Sequence, residues 1–463
     1  MYPSLCRFSS NIQHEKQYEV SRPVEYRKLI DHYTRFLKDC TNYYRILIQK
    51  LVSNFNIVEL HPIVSQFRLE GNSCSTIVPY SIVEVAPDGP KFQSKKIKGL
   101  VFTAVQSCLI KLGDISRYRA LMPARTKTAP KPDYGPAYGY YILAQALLPE
   151  NGAPANQLAV LSTYSKDFLA STYYFYRALA CDDPFTTASN NLALGFRKLQ
   201  RDGVGVDGVE REDIGALTEA FLKMHAKFFN AEPFNNPSVL QLLEEVIVDR
   251  VIEAKFLNRL TFINLSAFYV ATQREALNVE EFLFTLLDHF SLLLRLLSQE
   301  IELQPPSDDP ASYITPVVRR IASSIRLYSK WLVVHHSQIP LSFWPQYIIA
   351  VQSVKGLWTK QSPPKSSLPL EEDLAAAGFA PLEALQESKK RRTKRDKARI
   401  GNRKKGFERL LLQWGRNGGD TLVQSRNQGS QHPNVEMTLR LADLLSDAIE
   451  IASIPVCYLY IHV

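Results

Sequence analysis

Apolar residues in this chain recur every three or four positions, stretch after stretch, and nowhere alternate long enough to make a sustained strand. That period lines one face of a helix, and each stripe must be buried against another helix, so the predicted fold class is all-α. Between Val24 and Phe55, Leu29, Tyr33, Phe36 and Leu37, then Tyr43, Tyr44, Leu47, Ile48 and Leu51, read as two helices or one bent one. The pattern resumes over Val101 to Tyr118, Leu217 to Phe229, Val239 to Phe256 and Leu260 to Thr272. A stronger stripe runs through Phe282, Leu286, Leu287, Phe290, Leu294 and Leu297; it breaks at Pro305-Pro306 and returns from Tyr313 through Trp331 to Val334. Stretches punctuated by Pro, Gly and Ser at 71–98, 123–136, 201–208 and 361–370 read as loops, linkers or surface crossings.

One internal match narrows the architecture. Ala137, Tyr140, Tyr141, Ala144 and Leu147 correspond to Ser171, Tyr174, Phe175, Ala178 and Cys181, 34 residues later, and Leu148-Pro149 and Asp183-Pro184 close the two units. Thirty-four is the tetratricopeptide period, in which small residues let two antiparallel helices approach and aromatics fill the groove between them. Two visible units are fewer than such a stack needs alone, so they are expected to pack on the N-terminal helices.

Charge is concentrated rather than spread. The net charge is +9, yet residues 389–405 hold eleven Lys or Arg against one Asp, which leaves about −1 for the rest. This run comprises Lys389, Lys390, Arg391, Arg392, Lys394, Arg395, Lys397, Arg399, Arg403, Lys404 and Lys405, with no aromatic interleaved. It offers charge attraction without base stacking: a nuclear-import signal, a sequence-blind nucleic-acid contact or a solvated helix face.

Several chemistries find no support in the sequence. Cys6, Cys40, Cys74, Cys108, Cys181 and Cys457 are never closer than 34 residues, so they read as buried thiols and make no short-spaced zinc or redox motif. His335 and His336 have no carboxylate at ligand spacing and are expected to close a helix; no metal and no cofactor is expected. There is no GxxxxGK[ST], no GxGxxG after a strand and no GxSxG, and Glu371, Glu372 and Asp373 read as a solvated loop or helix N-terminus. The expectation is a chain that is not an enzyme, carries no secretion signal and does not span a membrane.

The segment Ser107-Cys-Leu-Ile-Lys-Leu-Gly-Asp-Ile-Ser-Arg-Tyr-Arg119 carries a resemblance, extended by Asn156-Gln-Leu-Ala159, Tyr173-Tyr-Phe-Tyr-Arg-Ala-Leu179 and Asp183-Pro-Phe-Thr-Thr-Ala-Ser-Asn-Asn-Leu192. Further support comes from Phe221-Leu-Lys-Met-His225, Tyr328-Ser-Lys-Trp331, Glu372-Asp-Leu-Ala-Ala-Ala-Gly-Phe-Ala-Pro-Leu382 and His432-Pro-Asn-Val-Glu-Met-Thr-Leu-Arg440. In this order and spacing they resemble the Est/Smg family, the ever-shorter-telomeres proteins that activate telomerase and their relatives in nonsense-mediated mRNA decay. The last two segments are similar to the fungal branch.

The resemblance implies a 14-3-3-like domain with tetratricopeptide-like helix pairs over 24–200 and an α-helical hairpin array of the Est-type DNA/RNA-binding kind over 209–386. An extension at 1–23, the basic segment at 387–406 and a C-terminal helical tail at 407–463 complete the expected layout. It further implies a phosphoserine-peptide pocket built from Arg45, Arg117 and Tyr118, with Asn156 touching the ligand backbone. The chemistry suits the residue types, since guanidinium forks bind a phosphate by paired charge-assisted hydrogen bonds and a phenol donates one more. Arg117 also stands three residues after Asp114, where it can form an intrahelical ion pair, and Asn156 can serve as an N-cap. The implied function is a non-catalytic adaptor of nonsense-mediated decay that docks on the phosphorylated decay RNA helicase and recruits mRNA decay enzymes. The alternative is a telomerase-associated subunit that binds telomerase RNA and single-stranded telomeric DNA. A heterodimer with another Est/Smg protein, shuttling between nucleus and cytoplasm, completes the expectation.

Overall fold

The computed structural model describes residues 22–61, 63–64, 95–122, 132–202, 212–232, 238–249, 251–358, 362–364, 369–383 and 433–453. The fold is all-α: among the described residues the structure consists of helices, with one isolated bridge between Asn151 and Asp183. The chain divides into two compact units, residues 1–148 with 407–425, and 149–406 with 426–463. The first boundary falls inside the 24–200 segment, between the two halves of the 34-residue match. The basic run at 389–405 lies outside the described residues.

The first unit contains three long helices. α1 (Pro23–Phe55) is a single 33-residue helix that Pro23 opens and Asn56 closes in the left-handed conformation, so the apolar stripes flanking Asn42 belong to one element. α2 (Lys95–Ala120) starts within the stretch whose composition suggests a loop, and α3 (Gly135–Leu147) follows. α2 packs against both of the others. Its Val105, Leu109 and Leu112 meet Ile48 and Val52 of α1 and Tyr140, Leu143 and Ala144 of α3 in one core, while Ile115 and Tyr118 join Tyr33, Leu37 and Cys40 in a second. Gln106, buried on α2, donates through Nε2 to the carbonyls of Ala144 (2.9 Å) and Leu148 (3.1 Å), satisfying orphan acceptors at the end of α3. By length and composition α2 could cross a membrane, but half of it is buried in protein, where it holds Asp114 and Arg117. These are marks of a core helix.

The second unit is an array of helix pairs. α4 (Ala153–Tyr164) and α5 (Phe168–Leu179) form a hairpin, and α6 (Ala188–Asp202), α7 (Glu212–Phe229) and α8 (Ser238–Val248) pack in succession. α9 (Ala254–Gln273), α10 (Val279–Glu302), α11 (Pro316–His335) and α12 (Trp344–Lys355) continue the array, followed by the short α13 (Glu371–Ala375) and α14 (Pro433–Ala452). The apolar run expected as one helix from Val239 to Phe256 is two: α8 ends at Val248 and α9 begins at Ala254. All ten positions of the 34-residue match are buried, which is the physical content of the repeat. His335 does close α11, with Nε2 3.0 Å from the Pro381 carbonyl.

The acidic triplet is the clearest departure from expectation. Glu371, Glu372 and Asp373 form the first turn of α13, but Glu372 is buried and ion-paired rather than solvated. Its Oε1 accepts from Arg326 Nη1 (3.1 Å) and Arg440 Nε (2.8 Å), and Oε2 accepts from Arg440 Nη2 (2.8 Å). Asp373 accepts from Arg326 and Lys330, and Arg326 also reaches Asp443, so α11, α13 and α14 are tied through one set of charges. Nothing in the local sequence places Arg326 and Arg440 beside residue 372. Further along the same segment, Arg177 of α5 donates to the carbonyls of Ala377 and Gly378 and lies over the Phe379 ring. Gly378, at φ 65°, sits so close to Pro149 that any side chain would strike its carbonyl.

Candidate functional site

Arg45, Arg117 and Tyr118 belong to the first unit, and two consecutive tyrosines of α3 organise the two arginines. Arg117 sits one turn before the end of α2 and is 8% exposed. Its Nη2 lies 3.4 Å from Asp114 Oδ1, its Nε is 3.5 Å from the Tyr141 hydroxyl, and its guanidinium lies over the Tyr118 ring, 4.7 Å from the centroid. Tyr141 donates to the same Asp114 oxygen at 2.8 Å. Arg45, half-buried on α1, donates through Nη2 to the Tyr140 hydroxyl at 2.8 Å. Adjacent residues of one helix thus hold a guanidinium from each of the other two helices.

Gly113 makes this arrangement possible. A Cβ at that position would stand 2.4 Å from Cε1 and 2.6 Å from Cδ1 of Tyr141. Only a bare backbone lets the ring come this close to α2, near enough for its hydroxyl to reach Asp114. The Gly-Asp-x-x-Arg-Tyr pattern therefore has a mechanical reading: a seat for the ring, an acceptor for its hydroxyl, a cation fixed by both, and a ring under that cation. Electrostatics follow from the burial. Burial by itself disfavours the Arg117 cation, but the Tyr141 oxygen and the Asp114 carboxylate outweigh it, and Arg117 is held charged. Tyr141 is pushed far above the usual phenol range, by burial first and by the Asp114 charge second, so it stays a hydrogen-bond donor. Burial also raises the neighbouring Cys108 thiol to about 11 and leaves it unreactive as a nucleophile.

The intrahelical pair between Asp114 and Arg117 is thus present, and Arg45 on the same unit is half-buried. Asn156 lies in the other unit, buried on α4, where its Oδ1 accepts from Asn191 Nδ2 at 3.2 Å. It is not an N-cap: α4 starts three residues earlier, Gly152 is the N-cap residue, and Asn151 Oδ1 just before it accepts from the Ala153 amide at 2.9 Å. The 34-residue repeat makes Tyr140 and Tyr141 groove-filling aromatics; that their hydroxyls also hold Arg45 and the Asp114 and Arg117 pair emerges only from the packed helices. The available signal was a glycine in the middle of an otherwise strong helix. Among the described residues no group of His, Cys, Asp and Glu is arranged to hold a metal ion.

Comparison with known proteins fits this architecture. Residues 137–386 match the family model of the Est1 DNA/RNA binding domain, and residues 2–123 match that of telomerase activating protein Est1. The chain belongs to the Est/Smg family. The telomere elongation protein est1 of Schizosaccharomyces pombe is 30% identical over 169 residues, 36% of this chain and 33% of that protein. The nonsense-mediated mRNA decay factor SMG7 of Danio rerio is 29% identical over 238 residues, 50% of this chain and 18% of that protein. Telomerase-binding protein EST1A of Danio rerio is 38% identical over 117 residues, 25% of this chain and 7% of that protein. The matches thus span a third or less of these relatives. A crystal structure of Est1 and Cdc13 contains a chain that shares the fold at TM-score 0.67 and 16% identity, covering 97% of this chain and 85% of that one.

Proposed function

We propose that this protein is a non-catalytic adaptor of nonsense-mediated mRNA decay that binds a phosphoserine peptide of the decay RNA helicase and recruits decay enzymes. The observation that carries the reading is the anchoring of Arg45 and Arg117 to the consecutive hydroxyls of Tyr140 and Tyr141. Cations fixed before the ligand arrives lose little side-chain entropy on binding, which is what phosphate recognition by a guanidinium pair rewards. Asp114 serves the same end, holding Arg117 by Nη2 in one orientation. A phosphate brings nearly two negative charges, and Tyr118 beneath Arg117 adds an aromatic face. The pocket is assigned to Arg45, Arg117 and Tyr118 of the first unit, and the chain to both nucleus and cytoplasm.

The alternative, a telomerase-associated subunit that binds telomerase RNA and single-stranded telomeric DNA, draws on the S. pombe relative and on the match to the Est1 DNA/RNA binding domain. It would work through the run at Lys389 to Lys405, and with about six cations engaged its affinity should fall with salt at a log-log slope near about −4. Fluorescence-anisotropy titration of matched phosphorylated and unphosphorylated Ser-Gln helicase-tail peptides separates the readings. The adaptor shows phosphate-dependent binding that Arg45→Glu weakens at least about tenfold, roughly 1.4 kcal/mol, with unchanged circular dichroism. Arg117→Glu serves as the second variant. Equal affinity for the two peptides, or binding indifferent to Arg45, refutes the pocket.

A further inference from the structure

The outer face of α1 carries an apolar seam that the phosphopeptide reading does not use. Leu29, Phe36 and Tyr43 recur at seven-residue spacing, and Ile46 follows three residues later. Leu29 is half-buried, while Phe36, Tyr43 and Ile46 are 39%, 56% and 45% exposed. At about 100° per residue these side chains share one stripe, and Arg45 points roughly 200° away from Tyr43 on the opposite side of the helix. Tyr44 packs its ring edgewise on Tyr43 at 5.3 Å and so steadies it in the exposed position. Large exposed apolar groups in one line are a recognition surface rather than scatter.

Spacing and charge identify the occupant. Phe36 and Tyr43 stand about 10 Å apart along the helix axis, whereas stacked nucleotide bases follow one another at roughly 3.4 Å, so the pair does not serve as a base-stacking platform. A seven-residue period is what the seam of a second helix matches. The solvent side of the stripe is bordered by Lys28 and Arg35, one residue before Leu29 and Phe36, and both are exposed. The equivalent later positions are Asn42 and Gln49, so the positions of this border carry two cations and no carboxylate. Asp39, between the two rings, is a polar seam residue of the kind that sets register and asks for a cation opposite it. We infer that α1 docks an amphipathic helix of another protein, with apolar residues at seven-residue spacing, acidic residues along the flank facing Lys28 and Arg35, and one basic residue in the seam.

The probes are a fluorescein-labelled four-heptad peptide with a Leu seam, Glu flanks and one central seam Lys; the same peptide with Lys flanks; and a labelled 20-mer oligouridine. Each is titrated against the full chain by anisotropy. The Glu-flanked peptide should bind at least tenfold more tightly than the Lys-flanked one. Phe36→Asp with Tyr43→Asp should abolish that binding, and Lys28→Glu with Arg35→Glu should reverse the preference. These positions are exposed, so circular dichroism should be unchanged, and Ser-Gln phosphopeptide binding should persist in both double variants. Equal binding of the two peptides, binding of neither, or binding that survives the Phe36 and Tyr43 changes overturns the assignment. So does oligouridine binding that depends on Phe36 and Tyr43 in a chain that ignores both peptides.

Discussion

Gly113→Ala tests the architecture of the arginine site directly, because it adds one methyl group at a place where the structure has no room. The new Cβ would meet three atoms of the Tyr141 ring at 2.4, 2.6 and 2.9 Å, all well inside van der Waals contact. Tyr141 is fully buried between α2 and α3 and cannot swing into solvent, so the ring must retreat by about 1 Å, or α3 must move with it. Overpacking of this kind costs about 1–3 kcal/mol. The shift also stretches the 2.8 Å bond to Asp114, a charge-assisted bond worth roughly 1.5–3 kcal/mol. Against this, alanine gains about 1 kcal/mol of helix propensity over glycine. The net expectation is a loss of about 2–4 kcal/mol, confined to the first unit. Hydrogen exchange read by mass spectrometry on peptides from α2 and α3 resolves it, with peptides from α9 to α12 as the internal control. The same substitution in a Tyr141→Leu background, where the clash partner is gone, should cost little or stabilise by the propensity gain. If Gly113→Ala alone is neutral or stabilising, the glycine is not a seat for the ring, and the mechanical reading of the Gly-Asp-x-x-Arg-Tyr pattern fails.

Three further outcomes follow from the second unit. Glu372→Gln removes the carboxylate from between two buried guanidinium groups, which should cost about 3–5 kcal/mol and loosen α14, seen as faster proteolysis and exchange at residues 433–453. Asp447 on α14 has its carboxyl raised to about 6, by burial above all, so the folded chain binds the extra proton and stability falls as pH rises from about 4 to 6. Asp447→Asn should therefore stabilise α14 at pH 7, by no more than about 3 kcal/mol, and make no difference at pH 4; an equal effect at both pH values would contradict this. His225 and His289 are bridged by Asn264, which accepts from His225 and donates to His289, each at 3.0 Å; burial lowers them to about 4 and about 3. Their neutral forms are native, so stability is level above pH 6.5 and falls below it, by about 1.4 kcal/mol per pH unit for each histidine, and acid unfolding of His225→Phe with His289→Leu should be correspondingly less steep.

Helix existence was legible because burial of a stripe at 3.6-residue period needs only local sequence. The 34-residue match, the helix-closing His335 and the run of interior apolar positions all follow from that one rule. The resemblance carried by Ser107 to Arg119 and the segments after it reached the family. What local sequence could not reach was any partnership between distant charges. Glu372 read as solvated because no neighbour in sequence neutralises it, and Arg326 and Arg440, 46 and 68 residues away, do so only once α11 and α14 are packed. Asn156 reads as an open alternative between cap and ligand contact because its position within α4 depends on where the helix begins, and that is at Ala153. Likewise Arg117 and Arg45 were identified as cations, but their orientation was set by hydroxyls 24 and 95 residues away. The sequence by itself determined which faces are buried, since burial is a property of periodicity. Only the tertiary structure decided which charges and hydroxyls meet, since those bonds join residues that chain order keeps apart.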